Sequence, residues 1–192
     1  MISIRLIFVV VLSIFLSACA FSPQQLTITP RPEFNAERYG MGKPVVVLAE
    51  DLRVNKVLGS RGGAYAETSV VTIGNDFSQA LIKAAEDALA IQGFDVLGQK
   101  EPVAQFKVIV DELSFDIPAQ TMVSVINLKA LMRVEVKAGG ETYEATYKTQ
   151  SDQKILGYPS LEKNQEIVNG LISDTMSRIF EDQKLKAFLS NI

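Results

Sequence analysis

Gly139-Gly140 constrains this chain more than any other pair of residues, because two runs of strand-like alternation meet there. Before it, Ile126, Leu128, Ala130, Met132, Val134 and Val136 take the even positions, the period of two that a β-strand requires. A glycine pair tolerates the positive φ of a two-residue hairpin turn. Closing the hairpin there pairs residues whose numbers sum to 279, so Val136 meets Tyr143, Val134 meets Ala145 and Met132 meets Tyr147. All six then share one face, which supports the pairing. The other face opposes Glu135 to Glu144, a mild like-charge penalty that points to solvent or a partner on that side.

The remaining elements follow from similar signals. Val45 to Ala49 is a continuous apolar run, as in a strand buried on both faces. Leu58 to Gly63 reads as a flexible loop, and Ala64 to Ile73 as a weaker strand. Gly74-Asn75-Asp76 is a turn and helix cap. Phe77, Ala80, Leu81, Ala84, Ala88 and Ile91 then recur at helical spacing, and Gly93 followed by Phe94 ends the helix as a Schellman cap would. Asp95 to Gly98 reads as a short strand. Val103 to Ile117 reads as a long one whose apolar phase changes from even to odd. A period-2 phase cannot switch without a bulge, which belongs near Asp111 or Glu112. Ser160 caps the last long helix, with Val168, Leu171, Ile172, Thr175, Met176 and Ile179 in one stripe. Gly170 costs that helix about 1 kcal/mol relative to Ala unless close packing requires it. Leu185, Phe188 and Leu189 suggest a final short helix. The order predicts a two-layer α+β domain over residues 45–192, with a mostly antiparallel sheet and two long helices on one face.

The chain's chemistry is bounded by what it lacks. It has no histidine and one cysteine, so a Ser-His-Asp triad, a Cys/His zinc site and an intramolecular disulfide are all excluded. A net charge of −3 offers no footprint for nucleic acid. The single cysteine, Cys19, closes an eleven-residue segment, Leu6 to Leu16, in which only Ser13 is not apolar, and its approach. That length suits a secretory signal and is short for a spanning helix, which needs about 20 apolar residues. Leu16-Ser17-Ala18-Cys19 is similar to the bacterial lipobox: a branched apolar residue, two small residues, then the thiol that takes the lipid. The resemblance implies a signal peptide over residues 1–18, a mature chain acylated (palmitate included) on Cys19, and a lipid bilayer as the first partner. By the same resemblance Ala20, where Asp would imply inner-membrane retention, implies outer-membrane sorting; the expected orientation, not fixed by that residue, is toward the periplasm. Residues 19–44 carry four of the seven prolines. They read as a lipidated, Pro-rich extended spacer, with an arm packed on the domain as the alternative. A fully stretched segment of this length reaches roughly 80 Å.

Taken together, the lipobox, Val45 to Ala49 running into Asp51-Leu52-Arg53 and Val57-Leu58-Gly59, the helix ending Gln92-Gly93-Phe94, and Ser173-Asp174-Thr175-Met176 with Phe188-Leu189 resemble the YajG-type lipoproteins of Gram-negative envelopes. The resemblance assigns no functional residue except Cys19.

Arg53, Lys56 and Arg61 lie near several glycines and offer an anion or partner contact, set against a solvated hairpin tip. The glycine run lacks the terminal Lys-Ser/Thr of a phosphate-binding loop. Glu50-Asp51, Asp111-Glu112 and Asp116 could supply paired carboxylates for acid–base work, but they also fit strand ends and a bulge. Glu162 and Glu166 fit a solvated helix face better than a metal site, and Tyr143 and Tyr147 fit the core. The sequence thus predicts no catalytic residue, metal or cofactor. It predicts a non-enzymatic envelope lipoprotein with a protein partner, the alternative being a module that binds a lipid or glycan fragment between sheet and helices.

Overall fold

The computed structural model describes residues 22–62, 66–98, 100–118 and 123–192. Among them the strands are β1 (Gln24–Leu26), β2 (Val45–Asp51), β3 (Gly59–Ser60), β4 (Val70–Ile73), β5 (Ala104–Asp116), β6 (Val123–Ala138) and β7 (Glu141–Leu156). The helices are α1 (Phe77–Ile91), α2 (Leu161–Phe180) and α3 (Gln183–Ser190). The fold is α+β, with a large sheet ordered β2-β5-β6-β7 and a small one ordered β1-β4-β3.

Both sheets are mixed; the large one is mostly antiparallel, through the β5–β6 and β6–β7 pairs, but not wholly so. The β2–β5 and β1–β4 pairs are parallel. Between β2 and β5 the chain passes through α1, and a parallel pair needs such a crossover. Hydrophobic periodicity reports a strand's faces and says nothing about its neighbour's direction. α1 packs on β2, and α2 packs on β6 and β7.

The β6–β7 hairpin has the predicted register residue for residue, from Val123–Leu156 to Ala138–Glu141. Gly139 (φ 57°) and Gly140 (φ 85°) both take the left-handed conformation that a type I′ turn demands. The Glu135–Glu144 opposition is neutralised from the same face: Lys137 pairs with Glu135, and Arg133 Nη1 lies 3.4 Å from Glu144. The predicted bulge is at Asp111: β5 pairs Val110 with Met132 and then Glu112 with Leu131, so Asp111 has no counterpart. The extra residue turns Leu113 and Phe115 back to the core, where they are buried with Phe106 and Val108.

α1 begins on Asp76, whose side chain accepts from the Gln79 amide. It ends in a Schellman motif, with the Phe94 amide donating to the Leu89 carbonyl, the Gly93 amide donating to Ala90, and Gly93 at φ 92°. α2 starts on Ser160, which accepts from the Lys163 amide, and its predicted apolar stripe is buried throughout. Phe180, at its end, stacks on Phe106 at 5.9 Å.

Three local expectations change. Residues 95–98 form no strand; only an isolated Pro44–Asp95 bridge is present there. The predicted strand from Ala64 starts only at Val70, behind a 3-10 turn at Ala66–Thr68, and residues 63–65 lie outside the described part. The predicted flexible loop is largely structured. Gly59–Ser60 pairs with Val70–Val71, and a Cβ on Gly59 would fall 1.4 Å from the Phe115 carbonyl oxygen. Glycine is required here because β5 passes against the bare backbone.

Candidate functional site

Leu16, Ser17, Ala18 and Cys19 lie outside the described residues. From Ser22 onward the chain is engaged with the domain. The prolines keep it extended, as read, but it is a docked arm rather than a spacer. β1 adds to β4, and Leu26 and Ile28 are fully buried. Alternate amides then descend along α2. Thr27 donates to Gln165 Oε1 (2.8 Å), Thr29 to Asn169 Oδ1 (2.7 Å), Arg31 to Ser173 Oγ (2.9 Å) and Glu33 to Ser177 Oγ (2.8 Å). The fit is metric. Two extended residues advance about 6.7 Å and four helical ones about 6 Å, so every second amide meets every fourth side chain. Pro30 and Pro32 fall on the alternate positions, where no donor to the helix is needed.

Two asparagines clamp this arm from opposite sides. Asn169 also donates to the Thr27 carbonyl at 3.0 Å. Asn75 accepts from the Ile28 amide and donates to the Ile28 carbonyl, both at 2.8 Å, in place of a neighbouring strand. Further on, Phe34 packs on Phe180 at 5.3 Å, and the Tyr39 hydroxyl donates to Gln92. Burial, then the Glu37 carboxylate, pushes the Tyr39 phenol up to about 12.

The three cations proposed for an anion contact separate into two places. Arg53 is buried and forks onto Asp51, Nε to Oδ1 at 2.8 Å and Nη2 to Oδ2 at 2.9 Å, with its guanidinium 5.2 Å from the Phe77 ring centre. Lys56 meets the same carboxylate at 2.9 Å. Burial works against the Asp51 charge, but hydrogen bonds from Arg53 and Lys56 outweigh it and hold the carboxyl below its usual value. These residues line an open cleft of about 350 Å³ with Thr72, Asp76 and Ser78. Arg61 instead serves the arm. Its Nη1 donates to the Ser22 carbonyl at 3.1 Å. The Gln24 and Asn164 amides meet at 2.6 Å, and with the Gln24 nitrogen turned to Asn164 its oxygen accepts from Arg61 Nε and Nη2 at 3.2 and 3.3 Å.

Of the candidate acids, Glu50, Asp51, Asp111 and Glu112 are paired with cations, while Asp116 is exposed at the end of β5. Glu50 pairs with Lys107, Asp111 with Arg133, and Glu112 with Lys129. Hydrogen bonds from Arg133 hold Asp111 below its usual value, the opposite of what a proton donor near neutrality needs. Among the described residues no three acidic or thiol side chains come close enough to hold a metal ion. Glu162 and Glu166 are exposed on α2. Tyr143 and Tyr147 are half-buried and do more than fill the core. Both hydroxyls donate to Asp182 Oδ2, at 3.1 and 2.7 Å, while Asp182 Oδ1 caps α3. Burial, together with these acceptors, raises the Tyr147 phenol strongly. The cluster ties β7 to α3. Its only sequence signal was an Asp at a helix start.

A sequence model of the Lipoprotein_16 family, described as uncharacterized lipoprotein, matches residues 30–190. The chain belongs to this lipoprotein family. The match agrees with the YajG-type resemblance and runs from the docked arm through α3. No curated protein sequence matches this family member. Among solved structures, protein XCC0632 from Xanthomonas campestris is similar at 9% identity with a TM-score of 0.54, over 89% of this chain and 97% of that one. It shows a shared fold. A neuraminyllactose-binding hemagglutinin homolog from Helicobacter pylori is similar at 9% identity and a TM-score of 0.48, over 83% and 92%. Among the described residues no helix of this lipoprotein is long and apolar enough to cross a membrane.

Proposed function

We propose that this lipoprotein is held in the outer membrane by acyl chains on Cys19, faces the periplasm, and works as a non-enzymatic contact module for another envelope protein. The observation that carries the reading is the free edge of β7. Sixteen residues, Glu141–Leu156, form the last strand of the large sheet. Among the described residues β7 pairs only with β6, and a strand this long with one open side is a template for strand addition. The two-residue turn makes Ala138–Glu141 a hydrogen-bonded pair, so odd-numbered β7 amides face β6 and even-numbered ones, Thr142 to Lys154, face outward. Binding of a small ligand between the layers is disfavoured, since Ile126, Leu128, Met132, Val134, Val136, Ile172 and Met176 are 0–2% exposed. The ion pairs of Glu50, Asp51, Asp111 and Glu112 support the non-enzymatic reading.

A photocrosslinker at Lys148, in living cells, tests this, with T146P as the comparison. Proline at 146 removes an outward amide and leaves the β6 ladder intact. A discrete crosslinked protein that disappears in T146P, with the circular dichroism unchanged, is the expected result. No discrete product, or one indifferent to T146P, rejects the edge as the contact surface.

A further inference from the structure

The docked arm leaves very little chain between anchor and domain. The Ser22 carbonyl is already held by Arg61, and Gln24 begins β1. Cys19 and Ser22 are three residues apart, so their Cα atoms lie within about 11 Å even if the chain is fully extended. The polar layer on each side of a bilayer is roughly 5–8 Å deep. An acylated Cys19 therefore holds the Ser22 end of the domain against the headgroups, where a free spacer would have allowed tens of ångströms of stand-off.

That end has a definite surface. Gly62, next to Arg61, adjoins Ile117 and the Tyr158 ring. Tyr158 is 40% exposed, and Leu156, two residues earlier at the open end of the hairpin, is 86% exposed. A large aliphatic side chain beside a tyrosine, at the point where a lipid anchor enters, is the composition of a membrane-interface contact, with the apolar body inward and the hydroxyl at headgroup level. The other end of the sheet, with the Gly139-Gly140 turn and the Leu97 segment, is about 50 Å away along β6.

We propose that the Leu156–Tyr158 end is a membrane-contact lip: both side chains enter the headgroup–acyl boundary beside the anchor, and the hairpin stands with its glycine turn away from the bilayer. The proposal rests on acylation of Cys19. It adds an orientation, with β7 presented along its length to whatever approaches from the aqueous side.

The chain contains no tryptophan, so L156W and L97W each introduce a single indole. Position 97 is 79% exposed and position 156 is 86% exposed, so neither substitution disturbs the core. Each full-length variant is purified from membranes, its acylation read by intact mass, and reconstituted into phosphatidylethanolamine/phosphatidylglycerol vesicles with plain or brominated acyl chains. The expected result is acylated protein in which L156W emission is blue-shifted and quenched by the brominated lipid while L97W emission is neither. Acylated protein with no quenching of L156W, or equal quenching at both positions, overturns the lip and leaves the anchor standing. Protein without acyl chains on Cys19 overturns both.

Discussion

Asn75 is a demanding test of how the arm is held. Its side chain takes the place of a strand neighbour for Ile28, with two hydrogen bonds of 2.8 Å to a residue whose side chain is completely buried. N75A deletes both partners at once. Each bond is worth about 1 kcal/mol net, and a donor or acceptor left unpaired in a half-buried site adds a desolvation penalty, so the expected loss is about 2–3 kcal/mol. For a domain of this size that lowers Tm by roughly 5–10 °C. N169A removes two bonds of similar length on the exposed side of the arm, where water replaces them, and should cost about 1 kcal/mol or less. Urea unfolding gives the free energies, and hydrogen exchange at the Ile28 amide shows whether the arm has come loose. The Ile28 amide should lose protection in N75A before the β5 and β6 amides do. A stability within about 0.5 kcal/mol of the parent, with Ile28 still protected, would refute the clamp and leave the arm held by β1–β4 pairing, the amide bonds to α2 and burial of Leu26 and Ile28.

Two glycine substitutions should act with opposite sign in the same unfolding assay. G59A drives a methyl into the Phe115 carbonyl and should cost about 3 kcal/mol or more, whereas G170A, with open space around its Cβ in mid-helix, should stabilise by up to about 1 kcal/mol. D51N strips a buried guanidinium of its counter-charge and should cost about 3 kcal/mol at pH 7. Because the native Asp51 carboxyl is held below its unfolded value of about 3.9, its stabilisation is complete above that pH and lost as pH falls through the lowered value. The gap between D51N and the parent should therefore narrow as pH falls below the carboxyl's lowered value, and a gap of constant size through the acid range would show that the carboxylate charge is not the source.

Much of this fold is written locally. A type I′ glycine turn, six apolar residues in one phase and a phase change at Asp111 specify the hairpin and its bulge, because side-chain alternation and turn geometry are properties of adjacent residues. The caps at Asp76 and Ser160 are local for the same reason. The arm was harder to read. Its signals were a row of polar residues four apart on α2 (Gln165, Asn169, Ser173, Ser177) and prolines on the alternate positions of residues 30–32, and neither pattern has meaning until strand and helix lie side by side. The cation trio divides for a similar reason. Arg53 lies two residues from its carboxylate, but Arg61 finds Ser22 and Gln24 across nearly forty residues.

The sequence alone determined the chemistry available to this lipoprotein: it has no imidazole and a single thiol, at position 19. It also determined the hairpin that dominates the sheet. Only the tertiary structure decided the parallel pairing of β2 with β5, the use of Tyr143 and Tyr147 to hold the cap of α3, and the docking of the arm along α2. Those depend on contacts between residues far apart in the chain, whose formation is set by how whole faces pack. The prolines favour an extended chain in this segment, but only packing against α2 turned residues 27–33 into a docked arm.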